Sequence, residues 1–217
     1  MAELIFPEIK LKGFKGVLLD IDNTIYHYKS CHKHALNLLI EEMSKMLTLS
    51  KETIKIEFLN SRKIVNKRLY DTASSHSRFL YIQLTLEKIL GFSDFHNTLK
   101  MEKLYWDIFL EKMELNVAAK KFIFECKKKN IPICCVTDLT AEIQFKKLSY
   151  LNLENHIKYI VTSEEVGIEK PHRKMFEKAL EKLRLKSSQV IMIGDSLEKD
   201  ISGAENIGIT SYLVKST

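Results

Sequence analysis

Residues 117–214 alternate between helical and extended patterns, and that alternation restricts the fold more than any other feature of the chain. Apolar runs at 131–136, 159–162, 190–193 and 210–214 predict strands, and amphipathic stretches at 117–129, 140–151, 172–185 and 197–206 predict helices. Strands separated by helices imply parallel pairing, with the sheet covered on both faces. A further strand is supplied by "GVLLD" at 16–20. From 28 to 113 the pattern is helical throughout, with Gly91 as its only glycine. The expected organisation is a Rossmann-like α/β core, residues 1–27 and 114–217, interrupted after its first strand by an all-helical insertion, residues 28–113.

In open α/β sheets, ligands collect beyond the carboxyl ends of the strands. The residues predicted at those ends are Asp20, Asp22 and Thr24, then Thr137 and Asp138, then Lys170, and finally Asp195 and Asp200. Taken singly, each has an ordinary explanation. Asp and Asn are common turn residues, Thr137 could help cap the next helix, and Lys170 precedes Pro171 as a solvated loop lysine would. Asp195 and Glu198 have the spacing of a capping box. Together they bring acids, a hydroxyl and a lysine toward one place. Ionised carboxylates beside an apolar strand cost several kcal/mol unless partnered, and a divalent metal with a charged substrate would partner them.

In "DIDNT" at 20–24, "VTD" at 136–138, "EKP" at 169–171 and "GDSLEKD" at 194–200, the chain resembles the haloacid dehalogenase-like (HAD) hydrolase superfamily. The subgroup is the one with a helical cap between the first and second motifs. The resemblance is strong over 16–26 and 131–214 and architectural for the cap. It implies a Mg2+-dependent phosphatase that hydrolyses a small phosphorylated metabolite through an aspartyl phosphate. Asp20 would be the nucleophile, and Asp22 would protonate the leaving alkoxide and then deprotonate water. Thr137 and Lys170 would hold the transferring oxygens. Mg2+ would be held by Asp20, the backbone carbonyl of Asp22 and Asp195, with Asp200 as an outer or water-mediated ligand. Asn23, Thr24 and Asp138 are further candidate substrate contacts, Thr24 rather as a brace of the loop. Asn23 stands where glycine is commonest in the family, and Asp138 where asparagine is frequent, which adds negative charge beside a phosphate site. Asp22 favours phosphoryl transfer over dehalogenation, because expelling halide requires no proton. A phosphomutase of the same superfamily shares every motif, and a catalytically silent binding or regulatory member is the other alternative. No G-x-x-x-x-G-K-[ST] loop is present.

The insertion carries the candidates for substrate recognition. Over 51–70, helical periodicity places Ile54, Phe58, Val65 and Leu69 in one stripe, with Arg62 and Arg68 beside it and Lys63 and Lys67 on the far side. "DTASSHSR" at 71–78 is a polar break whose Ser77 suits a helix cap. Its His76 and Arg78, with Arg62, are the groups expected to meet an anionic part of the substrate. Tyr105 and Trp106 are expected in the core of the insertion. His32 and His34 lie two apart on a helix and so do not face one another as a metal pair.

The net charge of +6 permits an anionic partner. The lysines are scattered, however, and "KKK" at 127–129 falls where a helix C-terminus favours cations, which argues against nucleic acid. No run approaches the ~20 apolar residues of a membrane span, and the first residues lack the apolar core of a signal peptide. A cytoplasmic protein with no membrane contact is expected, with no preference for an oligomeric state. The four cysteines, without a C-x-x-C, read as reduced core residues.

Overall fold

The computed structural model describes residues 4–216, which form two compact units. The first joins the residues up to Tyr28 with those from Glu114 onward, and the second is Lys29–Met113. In chain order the elements are β1 (Leu4–Ile5), β2 (Gly16–Leu19), α1 (Tyr28–Leu47), α2 (Lys51–Arg68), α3 (Arg78–Leu90), α4 (Phe95–Glu111) and α5 (Val117–Lys128). They continue with β3 (Ile133–Thr137), α6 (Ala141–Tyr150), β4 (Tyr159–Thr162), α7 (Ser163–Val166), α8 (Arg173–Leu183), β5 (Val190–Gly194), α9 (Gly203–Glu205), β6 (Thr210–Leu213) and β7 (Lys215–Ser216).

In the first unit, β2 to β6 form a parallel five-stranded sheet in the order β4-β3-β2-β5-β6, with helices on both faces. The central strands β2, β3 and β5 are buried along their whole length because both sides are covered. Leu18 sits opposite Cys134 and Met192 in register, and these pack with Val136, Phe176 and Ala179 in one cluster. Chain order runs outward from β2 through β3 to β4 and then returns to β5 on its other flank. The carboxyl end of β2 is therefore the topological switch point, where a crevice opens.

The second unit is helical, and its local signals are capping residues. Ser50 caps α2, accepting from the amide of Thr53 at 3.1 Å, and Ser77 caps α3, accepting from that of Leu80 at 3.3 Å. Gly91 ends α3 in the left-handed conformation, with φ of 80°. On α2, Ile54, Phe58 and Val65 are buried while Arg62 and Arg68 are exposed, and Leu69, just past its end, is half-buried. Tyr105 and Trp106 are buried and meet edge to face, with ring centroids 4.9 Å apart. His32 bonds the Tyr105 hydroxyl through Nδ1 at 2.7 Å. Burial and the Arg62 charge push His32 down to about 4. His34 is exposed.

The structure departs from sequence expectation in several places, among them the short helix α7 after β4. A two-residue antiparallel pair, β1 with β7, was not anticipated, because two residues are too short to carry an alternation signal. The helix expected at 197–206 is a π-helical turn, Leu197–Ser202, followed by the short α9. There the Ser196 carbonyl accepts from both Asp200 and Ile201, at 2.9 and 3.1 Å. That helix start is capped by Ser196, whose hydroxyl accepts from the amide of Lys199 at 3.1 Å. Asp195, for which a capping box was the alternative explanation, is left to the crevice. Among the described residues, no helix is long and apolar enough to cross a membrane.

Candidate active site

The site is built on the carboxyl ends of β2, β3 and β5. Asp20 follows β2 directly, and its amide bonds the Ile193 carbonyl of β5 at 2.9 Å, which fixes where its side chain leaves the sheet. The Thr24 hydroxyl donates to Asp20 Oδ2 at 2.7 Å, so Thr24 braces the acid. Asn23 adopts a φ of 62° between them, a left-handed conformation that asparagine tolerates better than most residues. Asp20 Oδ1 accepts from Lys170 Nζ at 2.7 Å. The same ammonium donates to Asp200 Oδ1 at 2.6 Å and to the Val136 carbonyl at 2.9 Å. Lys170 is only 3% exposed, so it is no solvated loop lysine. Burial opposes its charge, but Asp20, Asp200 and Asp138 outweigh burial and keep it protonated.

Asp20, Asp195 and Asp200 each offer a carboxylate oxygen within 4.8 Å of the others. Burial, reinforced by Asp200 and Asp195, pushes Asp20 up to about 8 even though Lys170 pulls it down. Burial and the charge of Asp200 raise Asp195 to about 6. Carboxylates crowded at this distance resist ionising together, and a cation removes the conflict. The donors are all hard oxygens, the set Mg2+ takes, so these residues fit a magnesium ion. Gly194 is required beside them, because a Cβ there would collide with the Asp200 side chain. Asp200 Oδ2 is held by the amide of Ser196 at 3.0 Å, which aims the acid back toward the cluster.

Asp22 lies beside this cluster with its own set of donors. Lys147 Nζ, from α6, meets both carboxylate oxygens at 2.7 and 2.9 Å. Gln144 Nε2 reaches Oδ2 at 3.2 Å, and the Tyr26 hydroxyl donates to Oδ1. Burial alone would raise Asp22, but the charge and hydrogen bond of Lys147, with those of Tyr26 and Gln144, leave it below the usual carboxylate range. Thr137 is the last residue of β3, not a helix cap, and its hydroxyl accepts from Gln144 Nε2 at 2.7 Å. Asp138, a candidate substrate contact by its motif position, turns its carboxylate to protein groups. Its Oδ1 accepts from the Lys170 amide at 3.0 Å and its Oδ2 from Lys199 Nζ at 2.8 Å, which tethers the Lys170 loop.

Asp20, Asp22, Thr137, Lys170, Asp195 and Asp200 thus all stand at one end of one sheet. Arg62, His76 and Arg78 belong to the helical unit. There Arg78 is buried, its guanidinium 5.4 Å from the Trp106 ring centroid and 5.6 Å from that of Tyr105. Its Nη1 donates to the carbonyl of the half-buried His76. Lys147, Gln144 and Lys199 were missed by sequence reasoning. A signal did exist for the first two, because Ile143, Gln144, Lys147 and Leu148 share one buried face of α6, and polar residues within an apolar stripe ask for a partner.

A family model described as haloacid dehalogenase-like hydrolase matches residues 14–208. A ribulose-1,5-bisphosphate 5-phosphatase of Halopiger xanaduensis is 34% identical over 199 residues, which is 91% of this chain and 83% of that protein. A glyceraldehyde 3-phosphate phosphatase of Methanocaldococcus jannaschii is 25% identical over 92% of this chain and 84% of its own length. In fold, the crystal structure of a HAD phosphatase from Thermococcus onnurineus matches with a TM-score of 0.70 at 22% identity, covering 93% of this chain and 86% of the other.

Proposed function

Since the chain belongs to the haloacid dehalogenase-like hydrolases and is a phosphoric monoester hydrolase, we propose that it is a Mg2+-dependent phosphatase of a small metabolite, working through phosphorylated Asp20. One observation carries this reading. Asp20 meets the Lys170 ammonium at 2.7 Å inside a cluster of three carboxylates at a strand-end crevice. A nucleophile, a fixed cation and a metal-fitting donor set are what phosphoryl transfer needs from a protein. Mg2+ would be held by the Asp20, Asp195 and Asp200 side chains and the Asp22 carbonyl, and when bound it would offset charge on the carboxylates and the phosphoryl group.

An oxygen of Asp20 forms a bond to phosphorus as the bond from phosphorus to the leaving oxygen breaks. The electron pair stays with the leaving oxygen, and Asp22 delivers a proton to it. Water then attacks the phosphorylated Asp20, Asp22 accepts a proton from that water, and Asp20 is released as a carboxylate. Lys147 holds Asp22 ionised in the free protein. The proton used in the first half therefore enters on the singly ionised ester, whose second phosphate pKa is near ~6. Lys170 and the Thr137 hydroxyl stabilise the transferring oxygens.

The names of the relatives support a phosphorylated sugar as the substrate class, and the four buried cysteines, outside any disulfide among the described residues, support a reducing, cytoplasmic setting. The test is phosphate release with Mg2+ from a panel of sugar bisphosphates, triose phosphates, nucleotides and phosphoglycolate. Turnover should require Mg2+, favour the sugar phosphates and vanish in Asp20→Asn. Activity of Asp20→Asn within about tenfold of wild type, a loss of only ~1.4 kcal/mol, would overturn the mechanism. Inertness toward the whole panel would favour a silent binding member.

A further inference from the structure

We propose that Lys147 is a positioning residue for Asp22, and that α6 sets the acid–base carboxylate and the phosphate-holding Thr137 as one unit. This rests on the role given above to Asp22. The Lys147 side chain is fully buried, whereas that of Asp22 is 27% exposed. A buried lysine costs several kcal/mol unless paired, and such a pair is weak evidence for stability, because apolar residues of similar volume would serve the fold as well. What the pair provides here is orientation. Lys147 Nζ spans both oxygens of Asp22 at 2.7 and 2.9 Å, the Tyr26 hydroxyl meets Oδ1, and Gln144 Nε2 meets Oδ2 at 3.2 Å. Two side chains of α6 and one of the loop after β2 thus orient one carboxylate.

The lysine is itself held in place. Its Nζ lies 5.8 and 5.6 Å from the ring centroids of Tyr26 and Tyr28. Gln144 stands three residues before Lys147 on the same face of α6. The two hydrogens of its Nε2 are shared among three acceptors, Thr137 Oγ1 at 2.7 Å, the Asp138 carbonyl at 2.8 Å and, more weakly, Asp22 Oδ2 at 3.2 Å. The other end of this buried amide, Oε1, has no hydrogen-bond partner among the described residues, a cost that the donations of Nε2 offset. A rotation or slide of α6 would therefore displace Asp22 and Thr137 together.

The test compares kcat/KM for two small esters of similar shape, p-nitrophenyl phosphate and phenyl phosphate, in the Mg2+-loaded enzyme. Nitrophenolate leaves readily without a proton, whereas phenolate, with a pKa near that of tyrosine at ~10, benefits from one. Asp22→Asn should cost phenyl phosphate ~10²–10⁴-fold and p-nitrophenyl phosphate much less. Lys147→Met should reproduce that discrimination in kcat/KM while lowering kcat for both esters, because Asp22 also serves the shared hydrolysis of phosphorylated Asp20, and Lys147→Arg should recover part of it. The double variant should be little worse than Asp22→Asn, since both changes disable one group. Equal losses of kcat/KM on the two esters in Lys147→Met, or full additivity in the double variant, would return Lys147 to a structural role and overturn the proposal while leaving Asp22 its function. Failure of Asp22→Asn itself to discriminate would remove the acid–base assignment, and this inference with it. If circular dichroism shows Lys147→Met unfolded, Lys147→Gln, which keeps a donor without the charge, is read by the same criteria.

Discussion

Asp195→Asn replaces one of three crowded carboxylates by a neutral side chain of the same shape, and in the metal-free protein it should be stabilising. Burial and the neighbouring Asp200 raise Asp195 from 3.8 to about 6. An acid whose pKa is raised by folding favours the folded state while protonated, and that stability is lost as pH rises through the folded value. At 1.36 kcal/mol per pKa unit, ionising Asp195 in place costs about 3 kcal/mol above its folded pKa, and about half of that is incurred by pH 5. For a chain of this size, 1 kcal/mol moves Tm by ~2–4 °C, so the upper bound is a gain of ~6–12 °C at pH 8. Relaxation around the acid reduces it to several degrees. Thermal unfolding followed by circular dichroism in EDTA, at pH 8 and again at pH 5, measures the gain, which should shrink at the lower pH. Saturating Mg2+ should then raise the Tm of wild type more than that of the variant, because binding to the native state alone stabilises it and the variant has lost a ligand. A variant that melts below wild type in EDTA at pH 8, or that gains as much from Mg2+, would refute the reading of Asp195 as an electrostatically costly metal ligand.

Gly194→Ala should weaken the same site from the backbone side, since the new Cβ collides with Asp200; overpacking of this kind costs ~1–3 kcal/mol, and Mg2+ affinity followed by calorimetry should fall along with Tm. In the helical unit, Arg78→Ala should lower Tm clearly because Arg78 is buried among aromatic rings, whereas the exposed Arg62 and Lys63 should tolerate alanine within ~0.5 kcal/mol. If Arg62 grips an anionic part of the substrate, Arg62→Ala should raise KM for the preferred sugar phosphate and leave p-nitrophenyl phosphate unaffected, with Lys63→Ala as the control; parallel behaviour of the two variants would return Arg62 to the solvated surface.

The sequence by itself determined the frame of this protein. Apolar runs of strand length alternating with amphipathic helices leave few topologies open, and chain direction then decides that Asp20, Thr137 and Asp195 stand at strand carboxyl ends. These are local signals, carried by residues within one element or the turn after it. Boundaries were blurred where side chains compete for the same backbone groups, as at Ser196, which rather than Asp195 caps the π-helical turn that follows. Only the tertiary structure decided the electrostatics. Lys147 is one of several lysines on amphipathic helices, and what separates it from a solvated one is Asp22, 125 positions earlier. The motif position of Asp138 suggests a substrate contact, and only the packed structure brings Lys199, 61 positions later, to its Oδ2. A helical lysine has the same local pattern whether it faces water or a buried acid, because helix propensity depends on the stem and not on the charge at its end. The energy of that charge depends on distance and burial, and both are set only when distant segments of the chain pack together.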